Sequence, residues 1–300
     1  MRTGEGRLRL GWRLSLFVAL ALATIIGVTA VLPPGLLSGS AAMLAAGVIS
    51  GATLLAIEGR RPGALGFYAD WVAVPETAKG VGLGVLVGLV VVGVIAALGG
   101  VRWTPQEGTV VAWVTGGFGA LVFLALPAAA EESVLRGYPL QALTEAWGSA
   151  WALAATSVSF GLLHVWNPGI TVLGVVNVAA AGLLIGVVYL KTASLWWATG
   201  VHLGWNWSHG YVSDVPVSGL ELLDAPFYEG VPQGPDWLGG GAFGPEGSVV
   251  ATVVLLGAAA VCWQSRWLRP SGAALKAGPL AVMGTERSEG GSSGTGGSGA

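Results

Sequence analysis

Hydrophobic residues run through the chain in long continuous stretches. Eight apolar segments of about 17 to 25 residues can be marked, and about 20 apolar residues are enough to cross a bilayer as a helix. Continuous runs favour helices over the alternating strands of a membrane barrel. The pattern predicts an all-α, polytopic membrane helix bundle with about eight transmembrane helices. The predicted spans are residues 12–32, 36–57, 80–99, 109–130, 149–166, 169–190, 193–212 and 248–268.

Composition supports this interpretation. The chain is 53% hydrophobic and 10% charged, whereas a soluble domain has about 25% charged residues. Its mean hydropathy is +0.71. The predicted location is therefore the cell membrane, as a multi-pass protein with the lipid bilayer as its surroundings and no nucleic-acid partner. The single cysteine, Cys262, excludes a disulfide framework and a cysteine-based metal site.

Basic residues indicate the orientation, because Lys and Arg collect on the cytoplasmic side of membrane spans. With eight spans and both termini in the cytoplasm, every Lys and Arg except Arg102 falls on that side. The loop at residues 213–247 carries acidic residues and no base, which suits the exterior face. We predict one membrane domain over residues 1–268. A disordered, Gly/Ser-rich cytoplasmic tail is predicted over residues 269–300.

A few polar residues interrupt the apolar spans. Glu131, Glu132 and Arg136 end the fourth span, and His164 and His202 lie in the fifth and seventh. An ionisable group inside a membrane is costly, so each of these is a functional candidate. Each also has a structural interpretation, as an interfacial salt bridge or an interhelical hydrogen bond.

Helical spacing groups these residues further. Glu132 and Arg136 are four apart and share a face, and so do His202 and Asn206. A carboxylate near an imidazole can take a proton from water, and a second histidine with an amide can stabilise an oxyanion. The same groups could instead bind Zn²⁺, with Glu131, His164 and His202 as candidate ligands. The spacing leaves both mechanisms open.

The segments "EESVLRG" (131–137), "FGLLH" (160–164) and "HLGWN" (202–206) resemble three ordered motifs, EExxxR, FxxxH and HxxxN. These are the motifs of the CPBP intramembrane proteases, also called the CAAX protease and bacteriocin-processing, or Abi, family. The similar region, the motif core, covers about residues 108–212.

This resemblance implies a CAAX-type intramembrane endopeptidase acting on a membrane-associated protein or peptide near the cytoplasmic leaflet. Glu131 corresponds to the glutamate that activates water, with His164 as its partner. Glu132 and Arg136 complete the first motif, and His202 and Asn206 correspond to the oxyanion pair. Family members include enzymes that remove the last three residues of prenylated CaaX proteins. The glutamate mechanism is favoured over a zinc mechanism because the motifs lack a local HExxH pair.

Two other classes compete with the protease. A non-catalytic membrane scaffold or bacteriocin-immunity protein would retain the motifs, and a proton-coupled transporter would also bury Glu, His and Arg. No paired inverted halves are visible in the sequence, which argues against the transporter.

The predicted depths of Glu131, His164 and His202 in the membrane differ, which is an obstacle to their sharing one site. Counted from the predicted span ends, Glu131 lies near the inner interface, and His202 and His164 lie deeper. The three can meet if the fourth span continues through the first motif, or if the fifth begins nearer Leu153, and helix tilt contributes too. We expect both, with a water-filled cavity that opens toward the cytoplasm.

Overall fold

The apolar stretches of the sequence form the long helices of the protein. The computed structural model describes residues 8–281. Its helices are α1 Leu10–Thr29, α2 Leu36–Ile57, α3 Ala73–Ala97, α4 Val110–Glu132, α5 Tyr138–Trp147, α6 Ser149–Leu163, α7 Val172–Thr192, α8 Leu195–Trp207, α9 Asp236–Gly239, α10 Val249–Gln264 and α11 Gly272–Ala277. Two π-helical turns, Ser133–Gly137 and Ser208–Val212, join α4 to α5 and extend α8. Short 3-10 turns lie at Pro62–Leu65, Gly241–Phe243 and Pro245–Gly247.

Hydroxyl side chains mark where several helices begin. The first backbone N–H groups of a helix have no partner within it, and a Ser or Thr at the N-cap supplies one. In α4, α7, α8 and α10 the N-cap side chain accepts a hydrogen bond from an N–H of the first turn. These caps are Thr109, Thr171, Ser194 and Ser248.

All eight predicted spans coincide with helices, but the count of eight membrane crossings is not confirmed. Within residues 8–281, five helical stretches are long and apolar enough to cross a bilayer. Helices α6 and α10 are shorter, and α8 has 13 residues before its π turn. At ~1.5 Å per residue these helices fall short of the ~30 Å hydrocarbon layer, which explains the difference. The protein is a multi-pass membrane protein. The five stretches are Leu10–Thr29, Leu36–Ile57, Ala73–Ala97, Val110–Trp147 and Val172–Thr192.

A small β-ribbon lies outside the predicted spans, and the sequence pattern did not predict it. Strand β1 (Val101–Pro105) pairs antiparallel with β2 (Tyr228–Pro232). Trp103 of β1 also donates its indole N–H to the carbonyl oxygen of Ser213 at 2.8 Å. The ribbon thus ties the 213–247 segment to the end of the helix bundle where α3 ends and α4 begins.

Helices α3 and α8 approach each other closely through glycine faces. A Cβ atom added at Gly84 would lie 2.1 Å from the carbonyl oxygen of Val201, and one at Gly204 would lie 2.2 Å from that of Val81. Neither position leaves room for a methyl group. Small residues allow such backbone contact between membrane helices, and here they bring α8 into the centre of the bundle.

The structure describes residues 269–281 of the tail predicted from residue 269 onward. Ala274 of α11 packs against Tyr68 and Ala193, and the backbone N–H of Leu280 donates to Gln141 Oε1 at 2.7 Å. Residues 282–300, which hold most of the Gly/Ser-rich sequence, lie outside the described residues.

Candidate active site

The first motif lies where α4 changes into a π turn. α4 ends at Glu132, the turn covers Ser133–Gly137, and α5 follows from Tyr138 to Trp147. A π turn fits one extra residue into a helix and is frequent at functional sites. This turn carries the first motif past the predicted end of the fourth span.

Glu132 and Arg136 form a buried ion pair, as their spacing predicts. Arg136 Nη1 lies 3.2 Å from Glu132 Oε2, and both side chains are fully buried. Glu132 Oε1 also accepts a hydrogen bond from His202 Nδ1 at 2.8 Å. Glu132 therefore connects the first motif to the third across the α4–α8 contact.

Arg136 is fixed on its other side by α6 and α7. Its Nη2 donates to the carbonyl oxygen of Gly182 at 3.1 Å, and its guanidinium carbon lies 4.4 Å from the centroid of the Phe160 ring. A Cβ atom at Gly182 would lie 2.9 Å from Arg136 Nη2. Gly182 therefore leaves the space that the guanidinium occupies.

Glu131 is rotated by roughly 100° from Glu132 around the helix, and its carboxylate lies near both histidines. Its Oε2 lies 3.7 Å from His164 Nε2 and 3.9 Å from His202 Nε2. This oxygen is buried and has no hydrogen-bond partner among the described residues. The motifs EExxxR, FxxxH and HxxxN thus converge on one carboxylate oxygen.

Hydrogen bonds determine which nitrogen of His164 carries the proton. His164 Nδ1 lies 2.8 Å from the carbonyl oxygen of Phe160, which can only accept. Nδ1 must therefore donate, and in the neutral ring Nε2 keeps a lone pair directed at Glu131. The Phe160 ring packs edge-on against His164 and His202, with centroids 4.7 and 5.8 Å apart.

Glu131, His164 and His202 lie at the same level, although their predicted depths differed. The helix runs through the first motif, which was one of the two expected solutions. The second was wrong, because α6 begins at Ser149, directly after Gly148, and not near Leu153. Gly148 adopts φ 79°, a left-handed conformation suited to glycine. The resulting α5–α6 hairpin returns His164 to the level of Glu131.

A cavity of about 30 Å³ adjoins the histidines, enough for one or two water molecules. His164, His202 and the half-buried Asn206 line it. Asn206 thus shares the cavity, but within residues 8–281 its side chain makes no direct hydrogen bond to the other five candidates.

The expected opening of this cavity toward the cytoplasm stays a prediction. Ser218 and Glu246 also line it, and both belong to the 213–247 segment, which the predicted topology places outside. Because these residues form one wall, the cavity lies on the side of that segment.

The sequence analysis missed Ser218, Glu246 and Trp205 as cavity residues. Trp205 Nε1 donates to Glu246 Oε1, and Ser218 Oγ donates to Glu246 Oε2. No spacing rule links residues 205, 218 and 246. The one available signal was that Trp205 is on the same helical face as His202 and Asn206.

The three motifs meet inside a multi-pass helix bundle. They bring a Glu pair and two histidines together from separate helices, in the order EExxxR, FxxxH, HxxxN. Residues 112–208 match the Rce1-like family model, described as type II CAAX prenyl endopeptidase Rce1-like. This segment belongs to the CPBP, or CAAX, family of intramembrane endopeptidases. No curated protein and no solved structure matches the chain.

The matched segment contains all six candidate residues and runs from α4 to the beginning of the second π turn. It agrees with the motif core predicted over residues 108–212. Helices α1 to α3, the 213–247 segment and α10 lie outside the match, and with them Ser218 and Glu246.

Proposed function

We propose that the protein hydrolyses a peptide bond of a membrane-associated protein or peptide with a water molecule activated by Glu131 and His164. The supporting observation is the convergence of two imidazole Nε2 atoms on Glu131 Oε2, at 3.7 and 3.9 Å. Polar atoms separated by more than about 3.5 Å are commonly bridged by water.

Two hydrogen-bond acceptors, on Glu131 and His164, would flank the water molecule and activate it. Glu131 Oε2 has no donor among the described residues, and neutral His164 presents the lone pair of Nε2. One water can donate a hydrogen to each of them, which leaves its own lone pair directed at a substrate carbonyl. As its oxygen bonds to the carbonyl carbon, Glu131 takes one proton and later delivers it to the leaving amine nitrogen.

Asn206 and His202 stabilise the oxyanion in this proposal. The Asn206 side-chain amide lines the cavity beside His202 and supplies an N–H donor. His202 donates Nδ1–H to Glu132, so its Nε2 must also carry a hydrogen in order to donate to the oxyanion. Preorganised donors of this kind account for a large share of catalysis in acyl transfer.

Glu132 and Arg136 are positioning residues in this proposal. Their ion pair is fully buried, so neither can reach a substrate. The pair fixes the orientation of His202 through the 2.8 Å hydrogen bond to Nδ1. The mechanism needs this bond because it directs Nε2 of His202 into the site.

The alternative zinc ligands do not fit coordination as they stand. Zinc bonds of about 2.0 to 2.2 Å in a tetrahedron place neighbouring ligand atoms roughly 3.4 Å apart, and the distances from Glu131 Oε2 are longer, at 3.7 and 3.9 Å. Within residues 8–281, no group of three His, Cys, Asp or Glu side chains is arranged to hold a metal ion. We derive no step through a metal.

The test is Glu131→Gln, which keeps the side-chain shape and removes the base. Purified protein in proteoliposomes is incubated with a library of membrane-associated peptides, and products are identified by mass spectrometry. We expect kcat to fall about 10³-fold, the range of general-base catalysis. Glu107→Gln is the matched control, because Glu107 is an exposed carboxylate before α4. Wild-type kcat in a folded Glu131→Gln protein would exclude the mechanism and favour the scaffold.

A further inference from the structure

Among residues 8–281, Glu246 is the only carboxylate that lines the cavity beside the proposed catalytic groups. Besides His164 and His202, it is the only ionisable residue in the lining, and the described residues contribute no Lys or Arg to it. The rest of the wall is largely apolar, including Val178, Ile185 and Leu255. Glu246 is therefore the acidic group of this lining.

Glu246 is held rigidly in this position. It is 5% exposed, and its two side-chain oxygens accept hydrogen bonds from Trp205 Nε1 and Ser218 Oγ, both at 2.5 Å. Its backbone oxygen accepts from Asn177 Nδ2 at 2.8 Å. With donors on both oxygens, the arrangement suits an ionised carboxylate that cannot swing away from a bound substrate.

Among the described residues, Glu246 has no salt-bridge partner, and the one basic group it interacts with electrostatically is the buried imidazole of His209. Both of its side-chain donors are neutral. Glu132 differs, because Arg136 lies 3.2 Å from it. In a cavity shielded from water, an unpaired negative charge repels a second one strongly.

We infer that Glu246 is a specificity-determining residue that makes the cavity reject acidic side chains next to the scissile bond. Neutral or cationic side chains are accepted. The inference rests on the proposed function, because the cavity adjoins His164, His202 and Asn206, which would flank the scissile bond. Only substrate residues close to that bond can enter it, and the cavity volume of about 30 Å³ limits them to short side chains.

The test uses peptides that the wild type cleaves. Each residue near the scissile bond is replaced in turn by Asp or by Asn, which have the same shape and differ in charge. At one position we expect wild-type kcat/KM to be about tenfold higher for the Asn peptide, from repulsion at close range. Glu246→Gln should bring this ratio near unity, and Glu246→Asp should retain it. Glu221→Gln removes an exposed carboxylate from the same segment and should leave the ratio unchanged.

The outcomes separate the two claims. An unchanged Asn-to-Asp ratio in a Glu246→Gln protein with a normal thermal unfolding transition overturns the role of Glu246. Equal cleavage of Asp and Asn peptides by the wild type at every position overturns it without any variant. Cleavage that persists at the wild-type rate in Glu131→Gln overturns the proposed function itself.

Discussion

Two arginine–glutamate clusters lie along the same long helical stretch, Val110–Trp147, and they differ in how fully their polar atoms are paired. In the first, Arg13 donates to Tyr138 Oη at 2.8 Å, to Glu145 at 2.6 Å and to Glu58 at 3.3 Å. No side-chain atom of these four described residues is both buried and without a partner. This cluster joins α1, α2 and α5.

The second cluster is the candidate active site. Among the described residues, its buried atoms without a hydrogen bond include Glu131 Oε2, Glu132 Oε2 and Arg136 Nε. More than nine in ten buried polar groups in proteins have a partner, so a concentration of exceptions calls for a cause. The difference fits an Arg13 cluster that stabilises the fold and a second cluster in which Glu131 Oε2 is left available for water.

The largest expected effect comes from Arg136→Met. It leaves Glu132, which is fully buried, without its cation, so we expect stability to fall by about 3 to 5 kcal/mol. Cleavage per folded molecule should also fall, because His202 loses its fixed partner. Thermal unfolding in detergent and kcat of the folded fraction measure the two effects. An unaltered kcat would exclude a positioning role for Arg136 in catalysis.

Arg13→Met applies the same change to the other cluster. Its partners Glu58 and Glu145 are 11% and 22% exposed, so water can solvate them after the arginine is lost. We expect a smaller loss of stability, about 2 kcal/mol, with kcat per folded molecule unchanged. A fall in kcat comparable with that of Arg136→Met would contradict a purely structural role for the Arg13 cluster.

Asp214, in the 213–247 segment, extends the comparison to a carboxylate outside the helices. Burial is the main cause that raises its pKa from 3.8 to about 6. Asp214 therefore binds its proton more tightly in the folded state, and its contribution to stability is full below pH 3.8 and lost as pH rises through about 6.

We accordingly expect Asp214→Asn to leave stability unchanged well below pH 3.8. Near neutral pH it should raise stability by on the order of 1 kcal/mol, after discounting for partial exposure. Asn tolerates the positive φ of 50° at this position. Thermal unfolding as a function of pH, with the exposed Glu107→Gln as a control, measures the difference. A gain in stability equal at both ends of the range would exclude the titration of Asp214 as the cause.

The smallest expected effect is that of a chelator. Treatment with a chelator tests whether a bound zinc ion explains why these atoms have no hydrogen-bond partner. If Glu131 and the histidines bound zinc, EDTA would abolish cleavage and Zn²⁺ would restore it. The distances from Glu131 Oε2, 3.7 and 3.9 Å, lead us to expect wild-type kcat after dialysis against EDTA.

Local periodicity predicted much of the fold and of the site. The helices lie at the predicted spans, and four-residue spacing predicted the Glu132–Arg136 pair because it depends on one helix alone. The membrane count stayed open because apolar runs such as that of α6 extend beyond the helix itself. His209, near the end of the seventh predicted span, is fully buried, and its ring lies 4.4 Å from that of Trp205.

The residues of the cavity wall could not be predicted, because they come together through long-range contacts that follow no helical or strand periodicity. Ser218 reaches Glu246 across 28 positions, and the β-ribbon pairs residues more than 120 positions apart. The chain between them is rich in Gly and Pro and has no repeating pattern. Such a segment can be placed only once the bundle that supports it is known.

The π turn at Ser133–Gly137 also bears on how this segment tolerates insertions and deletions. A π turn holds one residue more than an α-helical turn, so removing one residue there can restore regular hydrogen bonding. Every side chain beyond the deletion would then rotate by roughly 100° relative to Glu131. A one-residue deletion in this stretch would thus keep the helix intact but rotate the side chains that follow it, so that Arg136 would no longer face Glu132.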